Sequence, residues 1–438
     1  MNAKDVVNQI FRAGIESVQP DKMIRNILKI ENDILSISDV NIPLDKTDHI
    51  YVIGAGKASA LMAKEVESML GDRITKGHII VKHGYGCKLD YIQVTEGGHP
   101  MPDNNGFRAT SDLVELAKKA RKNDLVICLI SGGGSSLLTD LPDGIEMEEL
   151  IKLNRLLINC GAGIKEINTI RKHVSNVKGG QLARAVYPAG LVSLIVSDVT
   201  GNPLDMIASG PTSPDSGTFQ EALDVLEKYH LTEKIPTAIF RHLTKGQQGK
   251  IPETPKQGDP VFKNVHNLII GSNLIALVAA KNKASQLGYL TVILNTELES
   301  ETSNAAEYII RTALGIQKNI LLQHPVCLLF GGETTLQVTG PGLGGRNQHL
   351  ALKAACLLSG TQGITILSAG TDGTDGPTDA AGAVVDGTTF KNAVLKNSAP
   401  EFYLNNFDSY SFFKKNGGHI ITGPTLTNVM DLMVVLIE

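Results

Sequence analysis

The chain reads as an α/β protein with a mostly parallel sheet, and three features of the sequence predict it. Apolar runs of strand length recur, stretches of helical periodicity separate them, and the runs end in glycine-rich loops bearing charged side chains. Strands covered on both faces read as continuous apolar segments, and their alternation with helices builds βαβ units. Ligands of such folds bind just beyond the carboxyl ends of the strands. The ends that stand out are Tyr51–Ser59, Leu125–Ser136, Leu191–Asp198, Val326–Glu333 and Ile364–Pro377. Their Lys, Ser-Gly, Asp, Glu and Asp-Gly loops point to an enzyme that handles an anionic, phosphorylated substrate.

Each element has its own signal. Val6, Val7, Ile10, Phe11 and Ile15 recur at helical spacing and predict an opening amphipathic helix, followed by a second near Pro20 to Lys29. Ala58 to Leu70 is predicted helical, with Leu61, Met62, Val66 and Met69 on one face, and Gly77–Lys82 is a short strand. Ser111 to Lys122 is predicted as a helix capped by Ser111 or Thr110. Glu148 to Cys160 and Thr169 to Tyr187 are further helices, ending at the breakers Gly161 and Pro188. The polar stretch between Gln247 and Lys263, rich in Gly and Pro, marks a boundary, and Asn267–Asn273 begins another strand-to-helix unit.

Bulk properties narrow the function. A chain of 438 residues exceeds one ordinary core, so roughly two or three domains are expected. Its 42% apolar and 20% charged residues are globular values, and a net charge of −4 argues against general nucleic-acid binding. The 5 cysteines are widely spaced and lack C-x-x-C, which disfavours a disulfide framework or a zinc site. The N-terminus lacks a signal-peptide core, and no apolar run reaches the ~20 residues of a membrane span, so a cytoplasmic protein is expected.

The loops supply the candidate sites. Gly54 and Gly56 before Lys57 let backbone N–H groups approach a phosphate, or simply form a tight turn. Neither a P-loop nor a complete dinucleotide fingerprint is present, because Ser59 stands at the third glycine position. Ser131, Gly132, Gly133, Gly134, Ser135 and Ser136 form a stronger nucleotide- or phosphate-binding candidate. Successive glycines carry a conformational-entropy cost that a close backbone approach would explain, and the serines add hydroxyl donors. Arg171, Lys172 and His173, with Lys178, load one segment with positive charge; a solvated face is the plainer reading. Asp198 stands where catalytic or metal-binding carboxylates of α/β enzymes sit, although an Asx-turn would place it equally well. Glu333 and Arg346 lie in a second glycine-rich array, where the guanidinium could clamp a phosphoryl group. Asp372, Asp375 and Asp379 share one loop as hard oxygen donors for Mg²⁺ or as Asx-turns, and His99 is a candidate substrate contact.

Taken together these segments resemble the glycerate 2-kinase family, of the type formerly named for hydroxypyruvate reductase. The segments are GAGKAS (54–59), EGGHPMPD (96–103), LISGGGSSLL (129–138), INTIRKHVSNVKGG (167–180), LIVSDVTGNPLDMIASGPT (194–212), GGETTLQVTGPGLGGRNQ (331–348), SAGTDGTDGPTDAAGA (368–383) and TGPTLTNVMDL (422–432). They follow the family's order over most of the chain; the 213–265 stretch resembles it least.

The resemblance implies two α/β domains with the active site in the cleft between them. The first, 1–250, would be Rossmann-like with a mostly parallel sheet flanked by helices, and the second, 260–438, the family's characteristic C-terminal domain. It implies ATP-dependent phosphorylation of D-glycerate at the 2-hydroxyl with Mg²⁺, and its catalytic lysine and arginine fall on Lys57 and Arg346. Asp198 is then the candidate base or metal ligand, His99, Arg171 and Glu333 substrate contacts, and Asp372 and Asp375 metal ligands. The expected partners are D-glycerate and ATP, with no nucleic acid and no membrane; a homodimer is left open. Two other readings compete: an NAD(P)H-dependent hydroxypyruvate reductase, with Glu67 or Asp72 as its acidic ribose partner, and a non-catalytic sugar-phosphate-binding protein.

Overall fold

The computed structural model describes residues 2–319 and 325–438, which form a mixed α/β structure with two six-stranded sheets and one three-stranded sheet. Its contacts define two compact units. One comprises Met23–Ser197 and Asn202–Ile270; the other comprises Met1–Lys22, Asp198–Gly201 and Gly271–Glu438.

The first unit is built on a sheet ordered Ile92–Gly97, Ile74–Lys82, Ile50–Ala55, Leu125–Ile130, Gly190–Val196 and Val265–Gly271. Its first five strands pair in parallel. Ile50–Ala55 and Leu125–Ile130 are buried along their whole length, as their unbroken apolar sequences require. Ala55 lies opposite Ile130, so the Gly56–Lys57 and Ser131–Ser136 loops leave the sheet side by side. The helices Met147–Asn159, Ile164–His173, Phe219–Lys228 and Thr237–Gln247 bury a separate apolar cluster that includes Leu153, Leu157, Ile170, Phe219, Leu226 and Leu243.

The second unit has a mixed sheet. Its order is Leu290–Leu298, Val326–Gly332, Asp431–Ile437, Ile364–Gly370, Gly382–Asp386 and His419–Ile420. Leu290–Leu298 and Val326–Gly332 pair in parallel, and the pairs that follow are antiparallel. The opening helix Ala3–Ser17 packs here, against Asn273–Gln286. Gly14 permits the approach: a Cβ there would stand 2.9 Å from Leu432 Cδ1 and 3.1 Å from the Ala276 carbonyl oxygen.

Several local expectations shift. The units divide elsewhere than between 250 and 260: the first helix joins the C-terminal sheet, and the 247–263 stretch is a loop inside the first unit leading to Val265–Gly271. The helix expected from Ser111 runs over Asn104–Ala117, because Asp103 accepts from the Gly106 N–H at 2.9 Å and caps it about two turns earlier. The helix expected over 169–187 is two helices, Ile164–His173 and Gln181–Val186, separated at Gly179 and Gly180, whose φ values are 56° and 81°. The three-stranded sheet Leu28–Glu31, Ile34–Ile37 and Val40–Pro43 carries no run long enough to announce itself. Among the described residues no helix is long and apolar enough to cross a membrane.

Candidate active site

In the first unit the two neighbouring loops are laced together. The Lys57 N–H donates to the Gly132 carbonyl at 2.9 Å, and the Ala58 N–H donates to Ser131 Oγ at 3.0 Å. Ser59 Oγ donates to the Leu129 carbonyl at 3.1 Å and lies 3.1 Å from Ser131 Oγ. Gly56 has φ 143°, and a Cβ on it would fall 2.1 Å from Ser131 Oγ, so the lacing itself requires glycine there. Ser59, at the third position of the dinucleotide pattern, is fully buried in this seam. Gly133 brings His99 and the Lys57 stem together: a Cβ there would lie 2.9 Å from His99 Nε2 and 3.5 Å from Lys57 Cγ.

Beside this seam lies a cavity of about 250 Å³ whose lining includes His99, Ser135, Ser136, Arg171 and Lys178. Burial, with help from the charges of Lys57 and Lys82, lowers His99 to about 4, so its ring is neutral at physiological pH. Arg171 Nε donates to Asn154 Oδ1 at 2.8 Å, and burial lowers the guanidinium's proton affinity. Lys178 is buried and donates to the Leu138 carbonyl. Burial brings its ammonium down to about 8, with Asp140 opposing and Arg171 assisting. Asp140 itself accepts from Ser175 Oγ and the Asn176 N–H, each at 2.5 Å.

The cavity therefore holds more positive than negative charge. The sequence left the Arg171–Lys178 run open between a solvated face and a site, with Arg171 as a candidate substrate contact; the fold buries Lys178 and half-buries Arg171 at this cavity. The signal that could have exposed this is the pair Gly179-Gly180, which turns the chain back and carries Lys178 inward.

Lys172, by contrast, is buried in a structural network. It donates to Asp205 Oδ2 at 3.2 Å and Asp215 Oδ1 at 3.1 Å.

In the second unit Arg346 begins the helix Arg346–Leu357 and is tied to two carboxylates. Nε and Nη2 reach Asp431 at 2.6 and 3.0 Å, and Nη1 reaches Glu333 at 2.7 Å. Burial works against the guanidinium charge, but Asp431 and Glu333 together hold its proton affinity above the ordinary value. Glu333 is raised by burial, lowered by Arg346, and raised again by Asp431 and Asp198. Asp198, two residues beyond the strand Gly190–Val196, groups with this unit. Asp431 was not singled out at all: it begins a strand and looks like a turn residue, and its partner lies 85 positions away.

The proposed metal pair is placed differently from expectation. Asp375 caps the Arg346–Leu357 helix, accepting from the N–H groups of Asn347 at 3.0 Å and Gln348 at 2.8 Å and from both their side-chain amides. A Cβ on Gly345 would lie 2.3 Å from Asp375 Cγ, so the glycine makes room for this cap. Burial raises Asp375 to about 6 against those donors. Asp372 closes a turn, accepting from the Thr374 N–H at 3.0 Å and its hydroxyl at 3.2 Å. Asp379 accepts from the Tyr410 hydroxyl at 2.8 Å. Among the described residues no cluster of three or more His, Cys, Asp or Glu side chains could hold a metal ion.

A parallel sheet with a laced lysine loop and a cation-rich cavity, and a second unit with an arginine among carboxylates, define an α/β enzyme that handles anions. The comparisons with known proteins make this specific. A family model described as Domain of unknown function (DUF4147) matches residues 6–244, and one described as MOFRL family matches 326–431. The chain is 42% identical to the D-glycerate 2-kinase of Thermotoga maritima, covering 99% of this chain and 98% of that one. It is 39% identical to the glycerate 2-kinase of Pyrococcus horikoshii, covering 100% and 98%. A crystal structure of glycerate kinase from Thermotoga maritima superposes with a TM-score of 0.90 at 41% identity, covering 100% of this chain and 99% of that one. The chain belongs to the glycerate kinase family.

Proposed function

We propose that the chain is a glycerate 2-kinase that transfers the γ-phosphoryl group of ATP to the 2-hydroxyl of D-glycerate, giving 2-phosphoglycerate and ADP. The observation that carries this reading is full-length likeness to the D-glycerate 2-kinase of Thermotoga maritima at 42% identity. In such a transfer the 2-hydroxyl oxygen forms a bond to the γ-phosphorus, the bond to the bridging oxygen breaks, and the hydroxyl proton leaves to a base. Positioning and charge neutralisation supply most of the catalysis.

Lys57 and Arg346 are assigned to the transferring group. Arg346 is preorganised for it, because Asp431 and Glu333 fix the plane of its guanidinium. Asp198 is assigned to taking the hydroxyl proton or to holding the metal. Two residues of the second unit suit Mg²⁺ in charge and donor type: Glu333 and Asp198 are hard oxygen donors, and burial chiefly raises the proton affinity of Glu333, with Arg346 opposing and Asp431 and Asp198 adding to it. Glu333 and Asp198 would hold the ion, since Arg346 takes both oxygens of Asp431 but pairs with Glu333 through Oε1. Mg²⁺ usually takes one or two protein carboxylates and fills its sphere with water and phosphate oxygens, whose charge it neutralises.

The reductase reading loses its footing in the same geometry. Glu67, the nearer acidic candidate for a ribose, accepts from the backbone N–H groups of Asp90, Tyr91 and Ile92 at 2.9, 2.9 and 3.2 Å. Gly54 and Gly56 are required by the neighbouring strand and Ser131.

The test is to incubate the protein with D-glycerate, ATP and Mg²⁺ and couple product formation to enolase alone. Enolase-competent product without added phosphoglycerate mutase is expected. A requirement for the mutase would overturn the 2-position, and NADH oxidation with hydroxypyruvate in place of ADP formation would overturn the kinase.

A further inference from the structure

The cavity of the first unit holds an uncompensated charge. Lys178 and Arg171 both line it, and among the described residues neither makes an ion pair. The carboxylate in the lining, Asp140, is held by Ser175 and Asn176. Of the three ammonium donors of Lys178, one is satisfied by the Leu138 carbonyl. A buried charge lacking an opposite partner is costly, and an anion entering the cavity would relieve that cost.

The cavity also sorts ligands by size and polarity. Its volume of about 250 Å³ falls below the ~300–1,000 Å³ of pockets that enclose drug-sized molecules. A three-carbon acid fits within it, and the cations Lys178 and Arg171 in the lining favour a carboxylate. The lining also offers an acceptor, Ser135. Ser209 Oγ donates to Asn168 Oδ1 at 3.2 Å, and the Asn168 amide nitrogen turns towards Met206 Sδ. With its proton so placed, Ser209 receives the hydroxyl proton of Ser135 across 2.6 Å. Ser135 therefore presents lone pairs to the cavity. It was expected to be a hydroxyl donor to phosphate; this chain instead equips it to accept from a ligand hydroxyl.

We infer that this cavity seats the small hydroxy acid, with Lys178 and Arg171 pairing with its carboxylate and Ser135 accepting from one of its hydroxyls. The inference rests on the kinase reading and refines it. The nucleotide then takes no part of its recognition from Lys178. Groups facing the cavity from the other elements are Arg171 on Ile164–His173, Asp140 beyond Gly134–Leu137, and His99, whose ring is already neutral with a value of about 4. Between pH 7 and 9 the change in charge falls on Lys178, whose value is about 8 before the anion enters.

The experiment compares Lys178→Met with the wild type in steady-state kinetics, varying D-glycerate and ATP separately, and follows thermal unfolding of both. The expected result is a KM for D-glycerate raised about 30-fold or more, as for loss of a buried charge contact. KM for ATP should stay within about twofold, and the unfolding midpoint should not fall. A rise in KM for ATP alone, or a fall in kcat with both KM values unchanged, overturns the inference.

Calorimetric binding of D-glycerate to the wild type gives a second measure that needs no variant. Its affinity should weaken about tenfold per pH unit above pH 8, and a flat profile to pH 9.5 overturns the assignment. A wild type that binds D-glycerate with this pH dependence yet makes no ADP would sink the kinase reading and leave the carboxylate site standing.

Discussion

Arg346 and Asp431 form a two-point ion pair, with guanidinium nitrogens 2.6 and 3.0 Å from the two carboxylate oxygens and Asp431 fully buried. A residue at a glycine-flanked loop end looks safe to truncate; this one is not. Arg346→Ala would strand a buried carboxylate, a change that costs about 3–5 kcal/mol where both partners are buried. The lower end applies here, because the Arg346 side chain is 33% exposed. The single variant should therefore unfold early in a denaturant titration. Adding Asp431→Asn should restore most of the stability and none of the turnover. Equal stability of wild type and Arg346→Ala would show that the pair contributes nothing to folding.

Lys57→Ala should behave oppositely. Its backbone N–H, which no side-chain change removes, makes the bond to Gly132 that laces the loops. Turnover should fall about 10²–10³-fold, as for loss of an electrostatic stabiliser, with a thermal midpoint close to that of the wild type. Undiminished turnover would remove Lys57 from the reaction.

His99 should remain neutral down to acid pH. Its folded-state value is depressed, from 6.5 to about 4, so its contribution to stability is fully present above 6.5 and is lost as pH falls towards 4. Ring resonances in NMR should titrate near pH 4, and His99→Asn should flatten that part of the stability profile. A midpoint near 6.5 would contradict the burial described for the ring.

Phe11 is fully buried on the first helix, and Phe11→Ala should destabilise the second unit by about 3–5 kcal/mol. Hydrogen exchange should speed up in Val326–Gly332 and Asp431–Ile437 more than in Ile50–Ala55. Uniform acceleration, or an effect confined to the parallel sheet, would show that the helix stabilises something else.

What the sequence revealed follows from how local each cause is. A strand buried on both faces must be apolar throughout, so Leu125–Ile130 and Ile364–Gly370 could be read directly. Lys57 and Arg346 were visible because glycines beside a charge are a local signal. Asp431 was hidden because its meaning depends on a guanidinium brought to it by strand pairing. Lys178 was hidden for a related reason: a basic run is usually solvated, and only the positive φ values at Gly179 and Gly180 turn it inward. Asp375 was noticed but given a metal, since four donors from Asn347 and Gln348 cannot be read from an Asp-Gly loop.

The division of the chain bears on its synthesis. Ala3–Ser17 leaves the ribosome before the parallel-sheet unit, yet the helix it packs against, Asn273–Gln286, and the strand Asp431–Ile437 emerge only after that unit. Through that interval Val6, Val7, Ile10 and Phe11 have no native surface to cover them, while the parallel sheet can already close on itself. A nascent chain stalled near residue 270 should thus carry a folded body and a sticky uncovered helix, a natural handle for chaperones and a seed for aggregation if release comes early.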